Sequence, residues 1–167
     1  MVSSLFVFVD EWDVGAPIGD VFRAVSDART YPVWWKAVYL NVEADGPPKV
    51  GGVARMLFKG RLPYRLRIVT TMIRLEPPRE FEIAVNGDLA GRGMWTLAPT
   101  ATGTHVRFDW RVNIERPWMR LLAPILGPAF RWNHAWAIKR AKAGLEPYAL
   151  KLAGQFPKHV GPFISAP

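Results

Sequence analysis

The hydrophobic pattern changes period several times along the chain, and each change marks an element. Residues 5–13 read as a first strand. Ala16-Pro17-Ile18-Gly19-Asp20 then opens a helix, with Pro17 near the first turn, where its missing N–H costs nothing. Val21, Phe22 and Val25 give this helix an apolar stripe, and it ends near Asp27. Thr30-Tyr31-Pro32-Val33-Trp34-Trp35 reads as a second, shorter helical turn with Thr30 as its cap.

After Trp35 strict alternation takes over. Val38, Leu40 and Val42 predict a strand that ends at the turn Asp45-Gly46-Pro47-Pro48. Gly51-Gly52 opens the next, with Val53, Arg55 and Leu57 on one face and Ala54, Met56 and Phe58 on the other. A longer strand runs from Tyr64 to Leu75 and stops at Pro77-Pro78. Phe81, Ile83 and Val85 alternate with Glu80, Glu82 and Ala84 up to Asn86-Gly87, a hairpin signal, and Leu89 to Leu97 follows. In the last strand Val106, Phe108, Trp110, Val112 and Ile114 point one way, and His105, Arg107, Asp109, Arg111, Asn113 and Glu115 the other.

From Pro117 the period becomes helical and remains so to about Leu152. Pro124 and Pro128 predict a break there, with a short helix at 118–126 and the main helix from residue 129. The order is thus one strand, two short helices, six strands and a long helix, which implies an α+β fold with a curved antiparallel sheet. One helix covers only part of such a sheet, so the uncovered interior becomes a cavity unless large side chains fill it. A single domain over residues 1–153 is expected, with an irregular tail over 154–167 that contains Pro157, Pro162 and Pro167.

Composition narrows the function. With no cysteine, disulfides and thiolate chemistry are excluded. No apolar stretch is long enough to span a bilayer, and Asp10, Glu11 and Asp13 interrupt the N-terminus where a signal peptide would be apolar, so a soluble cytoplasmic protein is expected. The formal net charge is +8. The cations are dispersed (Arg55, Lys59, Arg61, Arg65, Arg67 and others) and alternate with apolar residues as on a solvated sheet face, which argues against nucleic acid as a partner. Histidines and carboxylates do not cluster in a metal-binding pattern, and neither a metal nor another cofactor is expected.

Glu11-Trp12 on the first strand, Pro17-Ile18-Gly19-Asp20-Val21-Phe22 on the first helix, Tyr31-Pro32-Val33-Trp34-Trp35 after it and Phe130-Arg131-Trp132-Asn133-His134-Ala135-Trp136 leading into the long helix together carry a resemblance. The chain resembles the START-like (SRPBCC) superfamily, and within it the bacterial polyketide cyclase/dehydrase and lipid-transport group, over roughly residues 5–153. The resemblance implies a helix-grip fold that binds hydrophobic ligands between sheet and helix. Some members catalyse cyclisation or dehydration, so fold alone does not separate carrier from enzyme.

On a helical wheel Phe130, Ala137, Ala141, Gly144, Leu145 and Tyr148 form the stripe that faces the sheet. Its small residues mean either close approach or open space. Asn133 and His134 flank the stripe near its start, two polar groups beside an apolar interior. Trp34 and Trp35 border the cavity mouth in the architecture the resemblance implies, and Trp95 and Trp110 lie on strands. Trp34, Trp35, Trp95, Trp110, Phe130, Asn133, His134 and Ala137 are therefore the candidate ligand contacts, and the many wide rings favour a flat or elongated apolar ligand. No catalytic constellation forms. His134 is the one side chain to weigh as a general base, but the sequence supplies it neither nucleophile nor orienting partner, since Asp109 falls on the outer face. Trp132 and Trp136 sit away from the stripe and either pack beneath other elements or, with Trp118, Leu121, Leu122 and Ile125, mark a partner or peripheral membrane contact. Three readings stand: a hydrophobic-ligand carrier, a cyclase or dehydratase, and an interaction module. The sequence says nothing of oligomeric state.

Overall fold

The computed structural model describes residues 5–155. Strand β1 (Leu5–Val14) is followed by helix α1 (Ile18–Ser26), a 3₁₀ turn (Ala28–Thr30) and helix α2 (Tyr31–Trp34). Strands β2 (Tyr39–Ala44), β3 (Val53–Lys59), β4 (Arg65–Glu76), β5 (Glu80–Gly87), β6 (Leu89–Pro99) and β7 (Thr104–Ile114) follow, and helix α3 (Pro117–Gln155) closes the order. All seven strands form one antiparallel sheet, β1-β7-β6-β5-β4-β3-β2. Sequential hairpins build β2 to β7, and β1 returns to pair with β7 in the register Phe8↔Trp110 and Asp10↔Phe108. This is the helix-grip α+β fold.

The period of two decides which side chains meet the helix. On β7, Val106, Phe108, Val112 and Ile114 are buried, and on β3 Ala54 and Met56 are buried while Arg55 is exposed. Across the sheet Trp95 stacks on Phe108 with ring centroids 4.4 Å apart, and Phe81 stacks beyond Trp95 at 6.2 Å. At the far end of the sheet α1 buries Val21, Phe22, Ala24 and Val25. Thr30 does not cap α2 through its side chain: its hydroxyl donates to the Ala24 and Asp27 carbonyls and accepts the Trp34 indole N–H at 3.0 Å.

Helix α3 departs from expectation in continuity. It runs unbroken from Pro117, with Pro124, Pro128 and Pro147 inside it, and the expected break between 126 and 129 is absent. All three prolines lie on exposed positions, where water can serve the carbonyls their rings deprive of a donor. The helix continues through Gln155, past the start of the expected irregular tail, and the remainder of that tail lies outside the described residues. Its buried stripe is Met119, Ala123, Phe130, Ile138, Ala141, Leu145 and Ala149. Ile138 and Ala149 thus replace Ala137 and Tyr148 at the centre of the expected stripe, and both of those stay partly exposed beside it.

The two fates foreseen for small helix residues are both realised, at different ends. At Gly144 the helix touches the backbone of α2, because a Cβ there would overlap the Trp34 carbonyl oxygen and lie 2.9 Å from its carbon. At Ala137 it does not, and a space opens between helix and sheet.

Candidate functional site

The space encloses about 120 Å³ and is lined from four directions. The sheet supplies Phe58, Leu66, Phe108, Trp110 and Val112, and the inward row of β1 supplies Phe6 and Phe8. Helix α3 supplies Met119, Phe130, Asn133, His134, Ala137 and Ile138, while Trp35, Val38 and Tyr39 close the α2 side. Lys59, Gly60 and Tyr64 lie around the turn from β3 to β4. At roughly 10–15 Å³ per water, such a volume would take on the order of ten waters, and its walls are mostly aromatic carbon.

Each wall has a local cause. Trp110 lies flat over Gly93, its cross-strand partner, where a Cβ would come within 2.9 Å of the indole ring. Trp35 donates its indole N–H to the Ala137 carbonyl at 2.8 Å, which pins α2 to the helix at the cavity edge. Its ring joins Tyr31, Trp34 and Tyr39 in one aromatic cluster.

Polar groups are few. Asn133 Oδ1 accepts the backbone N–H groups of Arg61 at 2.7 Å and Leu62 at 3.2 Å, so this side chain staples the β3–β4 turn to α3. Gly60 leaves room for this staple, because a Cβ at residue 60 would displace the Asn133 amide from it. Burial pushes the Tyr64 phenol up to about 12, against the opposing influence of Asn133 and Arg116. Burial also holds Tyr39 well above the ordinary phenol range. Both hydroxyls therefore stay neutral near pH 7, able to donate or accept one hydrogen bond.

His134 has the partner the sequence did not reveal. Its Nε2 lies 2.7 Å from Asp10 Oδ2, and its ring stacks on Phe8 with centroids 3.8 Å apart and planes 10° from parallel. The two residues are 124 positions apart in sequence and are joined because β1 lies beside α3. A carboxylate on Nε2 selects the tautomer with the proton there and leaves Nδ1 with the lone pair. Chemically this is an oriented imidazole on the wall of an apolar cavity, competent to accept a proton or a hydrogen bond from a bound molecule. Asp10, Tyr39 and Tyr64 are the site groups that sequence reasoning missed. The signal for Asp10 was parity, since period two puts it on the same face as Phe6, Phe8 and Trp12.

Six of the eight candidate contacts come together on the cavity: Trp35, Trp110, Phe130, Asn133, His134 and Ala137. Trp34 and Trp95 do not line it. Trp34 is buried where α3 meets α2, and Trp95 lies deeper in the core between Phe81 and Phe108. Trp136 packs against the core and Trp132 remains half-exposed. Among the described residues no three His, Asp or Glu side chains gather where a metal could be held, and no helix is long and apolar enough to cross a membrane.

A family model described as polyketide cyclase / dehydrase and lipid transport matches residues 6–147. Among solved structures the chain is similar to TTHA0849 from Thermus thermophilus, at 16% identity, 89% of this chain and 99% of that one, with a TM-score of 0.75. It is also similar to the di-domain ARO/CYC StfQ from the steffimycin biosynthetic pathway (14% identity, 90% of this chain and 52% of that one, TM-score 0.64). A third is a Thalictrum flavum norcoclaurine synthase point mutant in complex with a transition state analogue (14% identity, 91% and 98%, TM-score 0.60). At such identities the likeness is one of fold. A search of curated proteins finds no match.

Proposed function

Because the chain belongs to the polyketide cyclase/dehydrase and lipid transport family, we propose that it binds one small, mainly apolar molecule with a flat ring system in the cavity between sheet and α3. The observation that carries this reading is the unfilled aromatic space beside Ala137, in a fold whose other end packs helix backbone against helix backbone. Apolar burial supplies the affinity, and His134 with Tyr39 or Tyr64 orients a polar end. The test is tryptophan-fluorescence titration with a panel of bicyclic and tricyclic aromatic compounds, alongside native mass spectrometry of protein purified from its own host. Saturable one-to-one binding that Ala137→Phe abolishes, with the melting temperature retained, is expected. Equal binding by the filled variant would place the ligand elsewhere.

The His134–Asp10 pair favours a second reading, an enzyme of the cyclase or dehydratase kind that uses His134 as a base. In that case His134→Ala lowers the rate on a consumed substrate by about 10²–10⁴, and Asp10→Asn lowers it less. If the protein only carries its ligand, both variants change affinity alone and the ligand is recovered intact.

A further inference from the structure

Helix α3 carries a second apolar stripe on the side turned away from the sheet. Trp118, Leu121, Leu122, Ile125 and Trp132 recur at helical spacing and so share one side of the helix. Leu121 and Ile125 are 79% and 76% exposed, and Trp118 and Trp132 44% and 51%. A helix apolar on two opposite sides is ordinarily covered on both. Here the inner side meets the cavity and core through Met119, Ala123 and Phe130, and no element among the described residues covers the outer side.

The charge around this stripe is mainly positive. From Arg116 to Leu145 the sequence holds six cations, Arg116, Arg120, Arg131, Lys139, Arg140 and Lys142, and no Asp or Glu. The β3–β4 turn stapled to this helix adds Lys59, Arg61 and Arg65, again with no acid among them. Arg116 is paired with Asp88 at 2.9 Å, and Arg120 lies 3.9 Å from Glu115. Arg61 instead sits over the Trp132 ring at 5.8 Å and Arg131 over Phe6 at 6.0 Å, and neither has an acidic partner among the described residues.

We propose that this face docks onto the surface of an anionic lipid bilayer, with Trp118, Leu121, Ile125 and Trp132 entering the headgroup boundary and Arg61 and Arg131 meeting lipid phosphates. Exposed Trp, Leu and Ile on a basic helical stretch that holds no acid before Glu146 is the composition of a segment lying in the membrane interface. A second copy of the chain fits less well, because a two-fold contact through this stripe would bring like charges together. Nucleic acid would leave Leu121 and Ile125 without a role. Tyr64, a cavity wall residue, touches Trp118 edge-on at 5.9 Å, so docking holds the cavity next to the bilayer.

The experiment is co-sedimentation of the full chain with vesicles of phosphatidylcholine alone or with about 30% phosphatidylserine. Binding is expected to be at least about tenfold tighter to the anionic vesicles and to weaken about tenfold or more between low and high salt. Leu121→Ser with Ile125→Ser should cost about tenfold or more, as should Arg61→Gln with Arg131→Gln. Each variant is first checked for an unchanged melting temperature, since all four positions are solvent-exposed. No binding to anionic vesicles, or binding indifferent to the two apolar substitutions, overturns the proposal. A concentration-dependent dimer that those substitutions dissolve would assign the face to a second copy instead. Ligand titration in vesicle-free solution is unaffected by either result, so failure here is distinguishable from failure of the cavity reading.

Discussion

Two glycines of α3 allow one substitution to be compared where the helix packs on a neighbouring backbone and where it does not. Replacing an interior helical glycine with alanine gains about 0.8–1.0 kcal/mol from helix propensity alone. At Gly127 that gain is opposed by the ring of Pro128, which crowds a Cβ on the residue before it in a helix, whereas beyond its chain neighbours a Cβ would meet only the Arg131 guanidinium, at 3.7 Å. Gly127→Ala should therefore leave the melting temperature within about 2–4 °C of wild type, taking about 2–4 °C per kcal/mol for a chain of this size. At Gly144 the same methyl would overlap the Trp34 carbonyl oxygen and sit 2.9 Å from its carbon. Ordinary carbon contacts are about 3.5–4.0 Å, so α3 and α2 must separate by on the order of an ångström. Backbone atoms, not a flexible side-chain end, have to move, and they carry the Trp34–Trp35 stack and the Trp35–Ala137 hydrogen bond with them. Overpacking of this kind costs about 1–3 kcal/mol or more and here belongs at the upper end. Net of propensity, Gly144→Ala should lose about 2 kcal/mol, or about 4–8 °C. Calorimetric melts of the two variants beside wild type, with tryptophan emission as a second probe of the α2 contact, decide the matter. A Gly144→Ala protein that melts at or above the Gly127→Ala protein would refute the close approach and, with it, the account of why the cavity opens only at the other end of the helix.

Asn133→Ala removes the acceptor for two backbone N–H groups and should cost about 1–2 kcal/mol, whereas Asn133→Asp keeps the oxygen and should recover most of it; equal losses would show that the staple is not the cause. Trp35→Phe leaves a smaller aromatic ring and deletes the N–H that reaches Ala137 at 2.8 Å, for a loss of at least about 1 kcal/mol by thermal melting from the hydrogen bond and the lost packing together; an unchanged melt would show that this contact does not hold α2. His105 is held protonated above its ordinary range by its hydrogen bond to Asp13, with a smaller contribution from Glu11. Because the folded state binds that proton more tightly, its stabilisation is complete below about pH 6.5 and disappears as pH rises through the raised value. The gap in melting temperature between wild type and His105→Gln should accordingly shrink from about pH 5.5 to about pH 8.5, and a gap independent of pH would contradict the pairing.

The strands were legible because one face of the sheet is buried and the other is wet, so parity alone sorts Val106 from Arg107 and Met56 from Arg55. Even the long last strand required no further information. The helix was harder for a physical reason. Pro124 and Pro128 are breakers by local chemistry, and whether the helix survives them depends on which side of it they occupy. Both stand on the exposed side, a fact set by tertiary packing rather than by the residues next to them. The same packing moved the buried stripe toward Ile138 and away from Ala137, the small change that makes Ala137 a wall of the cavity.

Within the site, residues on α3 were readable and their partners were not. Asn133 and His134 announce themselves as polar groups flanking an apolar stripe, but what each one touches is decided by chain segments far away. Asn133 meets the β3–β4 turn and His134 meets β1. Asp10 was open to view as an acid in phase with Phe6, Phe8 and Trp12, and an acid on the inner face of an aromatic row needs a partner or a proton. A competing signal masked that inference, since Asp10, Glu11 and Asp13 read together as a solvated acidic end. Parity separates them: Glu11 and Asp13 face out toward His105 and Arg107, while Asp10 faces in toward His134. Six of the eight tryptophans divide on the same principle. Trp34 and Trp95 are consumed by packing, Trp35 and Trp110 are held by a hydrogen bond and by a glycine so that one face remains free for the cavity, and Trp118 and Trp132 are left outside, Trp132 beneath the Arg61 guanidinium. An aromatic residue's role thus follows from what occupies its second face, and that is a property of the fold that no local pattern encodes.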